Sequence, residues 1–483
     1  MTALKQKAVS GIKWSAISQV GRQGTQLLTT VILARLLAPS DFGLVGMAMV
    51  VIGFINIFKD LGTAAAVIQR KELSEALLSS VFWLNAGFGL LAMIILFLIA
   101  PFAGSFYREP RVIVVLQVLS SSFFISGLGS LHQALLERSL SFNSLAKLEV
   151  ASVFIGAIVG IGLAFADAGV WSLVFQSLIT VFVATALLWW SSSWRPQWFF
   201  HWREAKSIGR FSLNLTGYSI FNYFARNADY LLIGRYLGAQ DLGYYTLAYR
   251  ILLFPLQNIT AVIGRVMYPV LSTMQDDNSR FASAYLKVSG TIAFITFPLM
   301  AGLLALAEPF VLTFFGEKWR PVILLIKIFA PVGMIQSIGA TVGGIYQVKG
   351  RTDWMFRWGI GAGTFVVIAF VIGLRWGIIG VAVSYAIASF ILFYPSFAIP
   401  FRLVEIKFVQ LLKILRPSFL NSSLMLVVLV LFIIDLPSSF SDSVMLIMCV
   451  TVGVAIYLTA SWLTNREQLK ELWELAGQRE SLS

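Results

Sequence analysis

The sequence predicts an all-α polytopic membrane protein with about fourteen transmembrane helices. Of its 483 residues, 58% are hydrophobic and only 12% are charged, and the mean hydropathy is +0.82. Soluble domains carry about 25% charged residues. Apolar runs of roughly 20 residues, the length that crosses a bilayer as a helix, recur along the whole chain. Strands of a membrane barrel are shorter and alternate in hydropathy, so a barrel is excluded.

The apolar runs fall into two groups of six, each followed by a basic segment, and a final pair. Predicted spans are 10–34, 42–66, 76–100, 111–136, 146–166, 169–190, 208–234, 243–271, 284–315, 321–347, 354–374, 377–400, 419–435 and 443–463. The predicted organisation is an N-terminal six-helix lobe (1–190), a basic Trp-rich cytoplasmic linker (191–207), a C-terminal six-helix lobe (208–400), a second basic cytoplasmic linker (401–418), two additional transmembrane helices (419–464) and a cytoplasmic tail (465–483).

Charge gives the orientation and narrows the chemistry. The net charge is +13, and Lys and Arg concentrate in alternate short loops, which places both termini in the cytoplasm by the positive-inside rule. The charge therefore requires no nucleic-acid partner. Cys449 is the single cysteine and His132 and His201 are far apart in sequence, so neither a disulfide nor a Cys-based metal site is predicted.

Two stretches of the chain repeat each other at a distance of 200 positions. Ala34–Met49 reads ARLLAPSDFGLVGMAM and Gly234–Tyr249 reads GRYLGAQDLGYYTLAY. Because six spans separate the copies, both halves begin on the same side of the membrane. This predicts a parallel repeat of two pseudo-symmetric lobes, as in some transporters. The coinciding positions are Arg35/Arg235, Leu37/Leu237, Asp41/Asp241, Gly43/Gly243 and Ala48/Ala248.

A stripe of polar side chains runs through the first span of each half. In the second half the steps between them are three or four residues, so on one continuous helix they share a face. Hydrocarbon cannot satisfy such a stripe, so it must face protein or water, and we predict that the two helices wall a central passage. The second stripe is Ser212, Thr216, Ser219, Asn222, Arg226 and Asp229, and the first is Gln19, Arg22, Gln26 and Thr29.

Several segments resemble bacterial polysaccharide exporters of the Wzx/PST type, above all the colanic acid exporter group. The resemblance covers about residues 10–400. It is carried by LLAPSDFGLVGMAM, FKDLGTAAAVIQR, ALLERSLSF and GVWSLVFQSL in the first half, and by NADYLLIGRYLGAQDLGYYTLAYRILLFP, VMYPVLSTMQ and FPLMAGLLALAEPFVLTFFGEKW in the second. Such proteins belong to the multidrug/oligosaccharidyl-lipid/polysaccharide flippase superfamily.

The resemblance implies a function and partners, but no catalytic motif. It implies two six-helix lobes forming a V in the bacterial inner membrane. It also implies movement of undecaprenyl-diphosphate-linked oligosaccharide from the cytoplasmic to the periplasmic leaflet by alternating access. The expected partners are this substrate, membrane lipid and a polysaccharide polymerase or ligase of the same pathway. We expect a monomer, because the passage lies within one chain.

Arginines are the first candidates for binding a diphosphate, because a guanidinium pairs with phosphate in a fork geometry. Arg22 and Arg226 lie in mid-span, and Arg250 and Arg265 lie in the eighth span. An alternative for Arg226 is an ordinary intrahelical pair with Asp229, three residues on. Arg22 has no acid at helical spacing in its own helix, and the single charge Glu149 is interpreted as an interface residue.

Neutral polar residues and one acid complete the candidate site. Gln19, Gln26 and Asn222 could bind sugar hydroxyls or hold helices together. Asp229 is either the partner of Arg226 or the residue that takes up a proton or a sodium ion to power transport. No cofactor is expected, and the membrane potential is a third source of energy.

Three other functions remain open. A multidrug and toxin extrusion exporter shares the architecture, but cationic drugs would call for an acidic cavity. A membrane polymerase or ligase would need a sizeable loop with catalytic acids, whereas the predicted loops are short. A lipid II flippase would share the fourteen-span plan. The sequence contains no Walker A motif and no HExxH motif, and we predict that the chain is not an enzyme.

Overall fold

The structure is a computed structural model that describes residues 2–59, 67–68, 70, 73–201, 216–436, 440–466 and 468–469. All regular secondary structure in these residues is helical. The helices are α1 (Thr2–Leu36), α2 (Pro39–Lys59), α3 (Glu75–Tyr107), α4 (Arg111–Arg138), α5 (Phe142–Phe165), α6 (Val170–Ser191), α7 (Thr216–Arg226), α8 (Ala228–Tyr236), α9 (Ala239–Ser272), α10 (Asn278–Ala305), α11 (Ala307–Phe314), α12 (Pro321–Gly339), α13 (Val342–Val348), α14 (Thr352–Gly373), α15 (Gly377–Phe401), α16 (Phe408–Asp435) and α17 (Asp442–Thr464).

The described part of the chain contains ten segments that are long and apolar enough to cross a membrane. Two of them combine successive helices: Pro321–Val348 contains α12 and α13, and Thr352–Phe401 contains α14 and α15. The remaining predicted spans coincide with α1, with the pair α7–α8 and with α9. The prediction of an all-helical, multi-pass membrane protein is therefore confirmed, whereas the count of fourteen spans and the arrangement in six-helix lobes stay predictions.

The chain divides into two compact units, Met1–Gly243 and Tyr244–Ser483. The boundary falls within the first turns of α9, so α7 and α8 belong to the first unit. In that unit α7 packs against α2, and α8 packs against α2 and α3. The lobe and linker boundaries predicted from the sequence stay predictions.

Close helix pairs build the first unit, with α3 along α4, α5 along α6 and α1 along α5. Glycines bring the backbones of α3 and α4 together. A Cβ added at Gly89 would lie 2.6 Å from the Phe123 carbonyl oxygen, and one added at Gly127 would lie 2.7 Å from that of Asn85. Neither site has room for a side chain, which is how small residues let apolar helices approach inside a bilayer.

The first part of the Trp-rich linker is tied to the N-terminal end of α3. The Gln197 backbone N–H donates to Ser79 Oγ at 3.1 Å, and the His201 N–H donates to Ser80 Oγ at 2.9 Å. Both serines are buried, and Ser80 Oγ also donates to the Ala76 carbonyl, so these contacts satisfy buried polar groups. The rest of the linker, 202–207, lies outside the described residues.

In the second unit α10 packs against both α12 and α16. Its contact with α12 contains a buried hydroxyl pair, Thr296 Oγ1 and Ser337 Oγ, at 2.9 Å. The last two helices meet through Asn421, whose amide donates to Thr464 Oγ1 at 2.9 Å. Interhelical hydrogen bonds of this kind hold membrane helices together. A core cluster includes Phe281, Tyr285, Phe297, Tyr346, Phe397 and Phe401.

α16 begins earlier than the predicted span 419–435. It starts at Phe408, inside the stretch 401–418 that the sequence predicts to be a linker. Its first turns are amphipathic, with Leu411 and Leu415 buried in the core cluster and Lys413 exposed. The basic residues of this segment led the sequence analysis to start the span later, whereas its apolar stripe lets the helix begin at Phe408.

Candidate functional site

Arg22 lies on α1 and has partners on two helices. Its Nη2 donates to Gln19 Oε1 at 2.6 Å, one turn earlier on α1. Its Nη1 lies 3.7 Å from Glu149 Oε2 on α5, and the two side chains are 35% and 44% exposed. The sequence shows that α1 carries no acid for Arg22, but it does not reveal that α5 supplies one. Glu149, interpreted from the sequence as an interface residue, is therefore part of the site.

The other predicted first-half residue, Gln26, is half-buried on α1. Its backbone carbonyl accepts a hydrogen bond from Thr30 Oγ1 at 2.7 Å. Thr29 is buried, and its hydroxyl donates to the Thr25 carbonyl at 2.7 Å. These threonine hydroxyls are satisfied within their own helix, a common arrangement for hydroxyls in apolar surroundings.

The second-half stripe is interrupted, contrary to the continuous helix predicted over 208–234. α7 ends at Arg226 and α8 starts at Ala228, with Asn227 between them at φ −115° and ψ 11°. The Asn227 side-chain amide donates to the Tyr223 carbonyl at 2.8 Å, which stabilises the break. The distortion is confined to this residue, because the Asn227 N–H still donates to the Tyr223 carbonyl at 3.1 Å and the Leu231 N–H to the Asn227 carbonyl at 3.0 Å. No local signal in the sequence marks this position, because Asn227 is neither Gly nor Pro.

The two charged candidates of this stretch differ in position and in burial. Arg226 is exposed as the last residue of α7, whereas Asp229 is 3% exposed in the first turn of α8. Asp229 Oδ1 accepts the backbone N–H of Tyr230 at 2.9 Å. An acid in the first turn of a helix is stabilised by the helix dipole, so Asp229 has a local structural role at this position.

The remaining stripe residues are placed unevenly. Asn222 is half-buried on α7. Ser212 lies outside the described residues, and the side chains of Thr216 and Ser219 lie outside the described part as well. Of the two α9 candidates, Arg250 is exposed, and the side chain of Arg265 is outside the described part. Arg250 and Arg265 belong to the second unit and the other candidates to the first, so their placement on one passage stays a prediction.

α7 is anchored to α2 by an aromatic residue that the sequence analysis did not single out. Tyr223 Oη donates to the Val50 carbonyl oxygen at 2.5 Å, across 173 residues of chain. Gly53 leaves the space for the Tyr223 ring, because a Cβ there would overlap its hydroxyl. Phe54 packs against Phe224 with 5.0 Å between ring centroids. This contact fixes the helix that carries Asn222 and Arg226.

The repeat residues Gly43 and Gly243 lie where the first turns of α2 and α9 cross. A Cβ at Gly43 would overlap the carbonyl oxygen of Ala239, and one at Gly243 would overlap that of Pro39. Pro39 and Ala239 are themselves equivalent positions of the repeat. The contact is therefore two-fold symmetric, and it requires glycine on both sides.

Comparisons with known sequences identify the family of this chain. The polysaccharide biosynthesis protein family matches residues 32–324. The lipopolysaccharide biosynthesis protein WzxC of Escherichia coli is 30% identical over 396 residues, 80% of each chain. The teichuronic acid biosynthesis protein TuaB of Bacillus subtilis is 28% identical over 398 residues, 81% of this chain and 82% of its own.

Solved structures show the same fold at low sequence identity. The lipid II flippase MurJ superposes with a TM-score of 0.76 at 17% identity, over 95% of this chain and 100% of its own. An inward-facing multidrug resistance MATE transporter gives 0.64 at 18% identity, over 79% of this chain and 94% of its own. The chain thus belongs to the polysaccharide biosynthesis protein family, which confirms the resemblance to Wzx/PST-type exporters, and it shares the fold of MurJ and of a MATE transporter.

Proposed function

We propose that this protein flips an undecaprenyl-diphosphate-linked oligosaccharide from the cytoplasmic to the periplasmic leaflet of the bacterial inner membrane, for the biosynthesis of a surface polysaccharide. Its relatives support the proposal by their names: WzxC acts in lipopolysaccharide biosynthesis, and ExoT of Rhizobium meliloti, 31% identical over 309 residues, is a succinoglycan biosynthesis transport protein. The fold shared with a lipid II flippase is compatible with a lipid-linked cargo.

Arg22 is the observation that carries the proposal. A guanidinium within an apolar helix costs roughly 2.5–3.5 kcal/mol on insertion scales. A diphosphate that leaves water loses its hydration, and a cation in the protein offsets that cost by pairing with it. Gln19 orients one end of the Arg22 fork at 2.6 Å, and the other end faces Glu149 at 3.7 Å, longer than a hydrogen bond. The Arg22 guanidinium is therefore held in place by Gln19, and its Nη1 remains available for a shorter hydrogen bond.

The proposed mechanism is transport without bond chemistry. The diphosphate pairs with Arg22 and Arg226, aided by Arg250 and Arg265, while amides such as Gln26 and Asn222 receive sugar hydroxyls. The polyprenyl tail stays in lipid, and the two halves rock to expose the site to either side. Asp229 is the proposed site for a coupling proton or sodium ion. Both termini lie in the cytoplasm, the chain acts as a monomer, and a polymerase or ligase uses the product.

The experiment uses a strain that lacks this protein. Lipid-linked saccharides are extracted, assigned to a leaflet by their accessibility to a membrane-impermeant glycosidase, and compared after complementation with wild type, Arg22→Gln or Arg375→Gln. Arg375 is an exposed arginine in the turn Leu374–Trp376 and serves as the matched control. We expect complete units on the cytoplasmic side in the deletion strain, rescue by wild type and by the control, and failure of Arg22→Gln.

Other outcomes would assign the protein elsewhere. Unpolymerised units on the periplasmic side would place its step after translocation, with the polymerases and ligases. Normal leaflet distribution together with increased sensitivity to cationic drugs would favour an exporter of the multidrug type. Full rescue by Arg22→Gln would keep the flippase but remove Arg22 from its site.

A further inference from the structure

We infer that Glu149 is a displaceable counter-ion that holds Arg22 when no cargo is bound and gives way to the diphosphate of the cargo. The inference rests on the proposed function and adds to it a residue that sets how tightly the lipid-linked diphosphate is held. The argument starts from the geometry of the ion pair between α1 and α5.

The pair is loose compared with other arginine–carboxylate pairs of this chain. Arg111 meets Glu109 through two hydrogen bonds of 2.9 Å each, and Arg351 meets Asp353 at 3.0 and 3.1 Å. In each of these pairs the guanidinium donates two hydrogen bonds to the carboxylate, and the two residues are close in sequence. Arg22 Nη1 and Glu149 Oε2 are 3.7 Å apart, beyond hydrogen-bond length, although the charges still attract.

Around this pair there is more positive than negative charge. Lys147, two residues from Glu149 on α5, is exposed and lies 5.5 Å from the ring centre of Trp14 on α1. Arg22 and Lys147 together outnumber the one carboxylate between α1 and α5. The side chains of Arg22 and Glu149 are 35% and 44% exposed, so the pair is not enclosed by the helices around it.

A carboxylate placed in this way serves two purposes. In the empty protein it compensates the cost of an arginine within the predicted first span. When a diphosphate arrives, it offers a shorter, bidentate partner for the guanidinium, and Glu149 is left beside a like charge. This repulsion limits how tightly the cargo is bound. A transport site needs such a limit, because a cargo that is held too tightly is not released on the other side.

A displaceable counter-ion and a purely structural ion pair predict opposite effects on diphosphate binding when the charge of Glu149 is removed. Removing the charge of Glu149 is expected to tighten diphosphate binding, by about tenfold or about 1.4 kcal/mol, and to slow export. If Glu149 only positioned Arg22, the same change would weaken binding. Glu149→Asp keeps the charge and should bind like wild type.

The test measures binding of undecaprenyl diphosphate to the purified full-length protein in lipid nanodiscs. Inorganic pyrophosphate, titrated in parallel, shows whether the site takes a free diphosphate or requires the lipid. The variants are Glu149→Gln, Glu149→Asp, Arg22→Gln and the double variant of Arg22→Gln with Glu149→Gln. Glu137→Gln is the control for net charge, because Glu137 is in the same unit and is bound by Gln133 at 2.9 Å. Thermal unfolding of each variant confirms that it is folded.

The outcomes separate this inference from the proposed function. Tighter binding by Glu149→Gln, unchanged binding by Glu149→Asp and Glu137→Gln, and no effect of Glu149→Gln once Arg22 is replaced would support it. Unchanged or weaker binding by Glu149→Gln, with wild type binding the lipid, would overturn the counter-ion role alone. Absence of binding by wild type would overturn the counter-ion role, and the leaflet assay in the deletion strain would decide the proposed function independently.

Discussion

Gly43 and Gly243 each lie against the backbone carbonyl that begins the other's helix, Gly43 on Ala239 and Gly243 on Pro39. The four residues are two pairs of equivalent positions, 200 apart in the chain. The sequence repeat thus reappears as a symmetric physical contact between the first turns of α2 and α9. Both helices can approach to backbone distance only because neither glycine carries a Cβ.

Replacing either glycine of this contact by alanine should destabilise the protein. The added methyl group would overlap a carbonyl oxygen that is fixed by its own helix, so one helix end must move. Overpacking of this kind costs about 1–3 kcal/mol. We expect Gly43→Ala and Gly243→Ala to lower the melting temperature in detergent by similar amounts, and the double variant to lose less than the sum, because one displacement relieves both overlaps.

Gly87→Ala is the matched control. Gly87 is also in a predicted span, and a Cβ there would meet nothing within 4 Å. Alanine is the better helix former, so this variant should melt at or above the wild-type temperature. Equal losses in all three variants would show that the contact has no special requirement for glycine.

Substitutions of Arg22 should separate the effect of charge from that of shape. Arg22→Gln removes the cation, and losing a hydrogen bond to a charged group costs about 1.5–3 kcal/mol, a reduction of about ten- to hundredfold in binding of the diphosphate. Arg22→Lys keeps the charge without the fork and should fall between glutamine and wild type. The measurement is the rate of export in the complemented deletion strain. Equal activity of the lysine and glutamine variants would argue that the positive charge contributes nothing.

Tyr223→Phe should loosen the attachment of α7 to α2 without changing its apolar packing. The variant loses the hydrogen bond to the Val50 carbonyl and keeps the ring, so a loss of about 0.5–1.5 kcal/mol in stability is expected. Hydrogen exchange should rise in α7 more than elsewhere. Tyr236→Phe, at a tyrosine that is 67% exposed, is the control and should leave stability and exchange unchanged. Uniform exchange changes along the chain would contradict a local anchor.

The turn between α3 and α4 should contribute a small pH-dependent stability. Hydrogen bonds from Arg111 lower the pKa of the Glu109 carboxyl below its ordinary value. A lowered folded-state pKa stabilises the protein above the unfolded-state pKa, about 4.3, and this contribution is lost as the pH falls through the folded-state pKa. Glu109→Gln should therefore melt lower than wild type at about pH 7, by less than about 1 kcal/mol because the pair is partly exposed.

As the pH is lowered below about 4.3, the difference between the two proteins should shrink, because the contribution of the Glu109 charge is lost as the pH falls through its folded-state pKa. Arg111→Gln should remove the same pH-dependent part. A difference between Glu109→Gln and wild type that persisted or grew in acid would show that the charge of Glu109 is not its cause.

The placement of the helices was predictable from the sequence, but their ends and breaks were only partly so. The bilayer imposes a length of apolar chain on every span, so local composition is sufficient to locate it. The break at Asn227 has no local signature, because an asparagine within a helical pattern is ordinary. The start of α16 at Phe408 was hidden by basic residues, although Leu411 and Leu415 already formed an apolar stripe.

The sequence by itself determined that this is a helical membrane protein built on a repeat, and it singled out Arg22 as a charge in need of a partner. Only the tertiary structure decided that the partner is Glu149, 127 positions away on α5, and that the repeat glycines Gly43 and Gly243 meet. The physical reason is that hydropathy is a property of each short segment of sequence and can be read locally. An ion pair or a backbone contact joins residues far apart in the sequence, so it depends on which helices pack together.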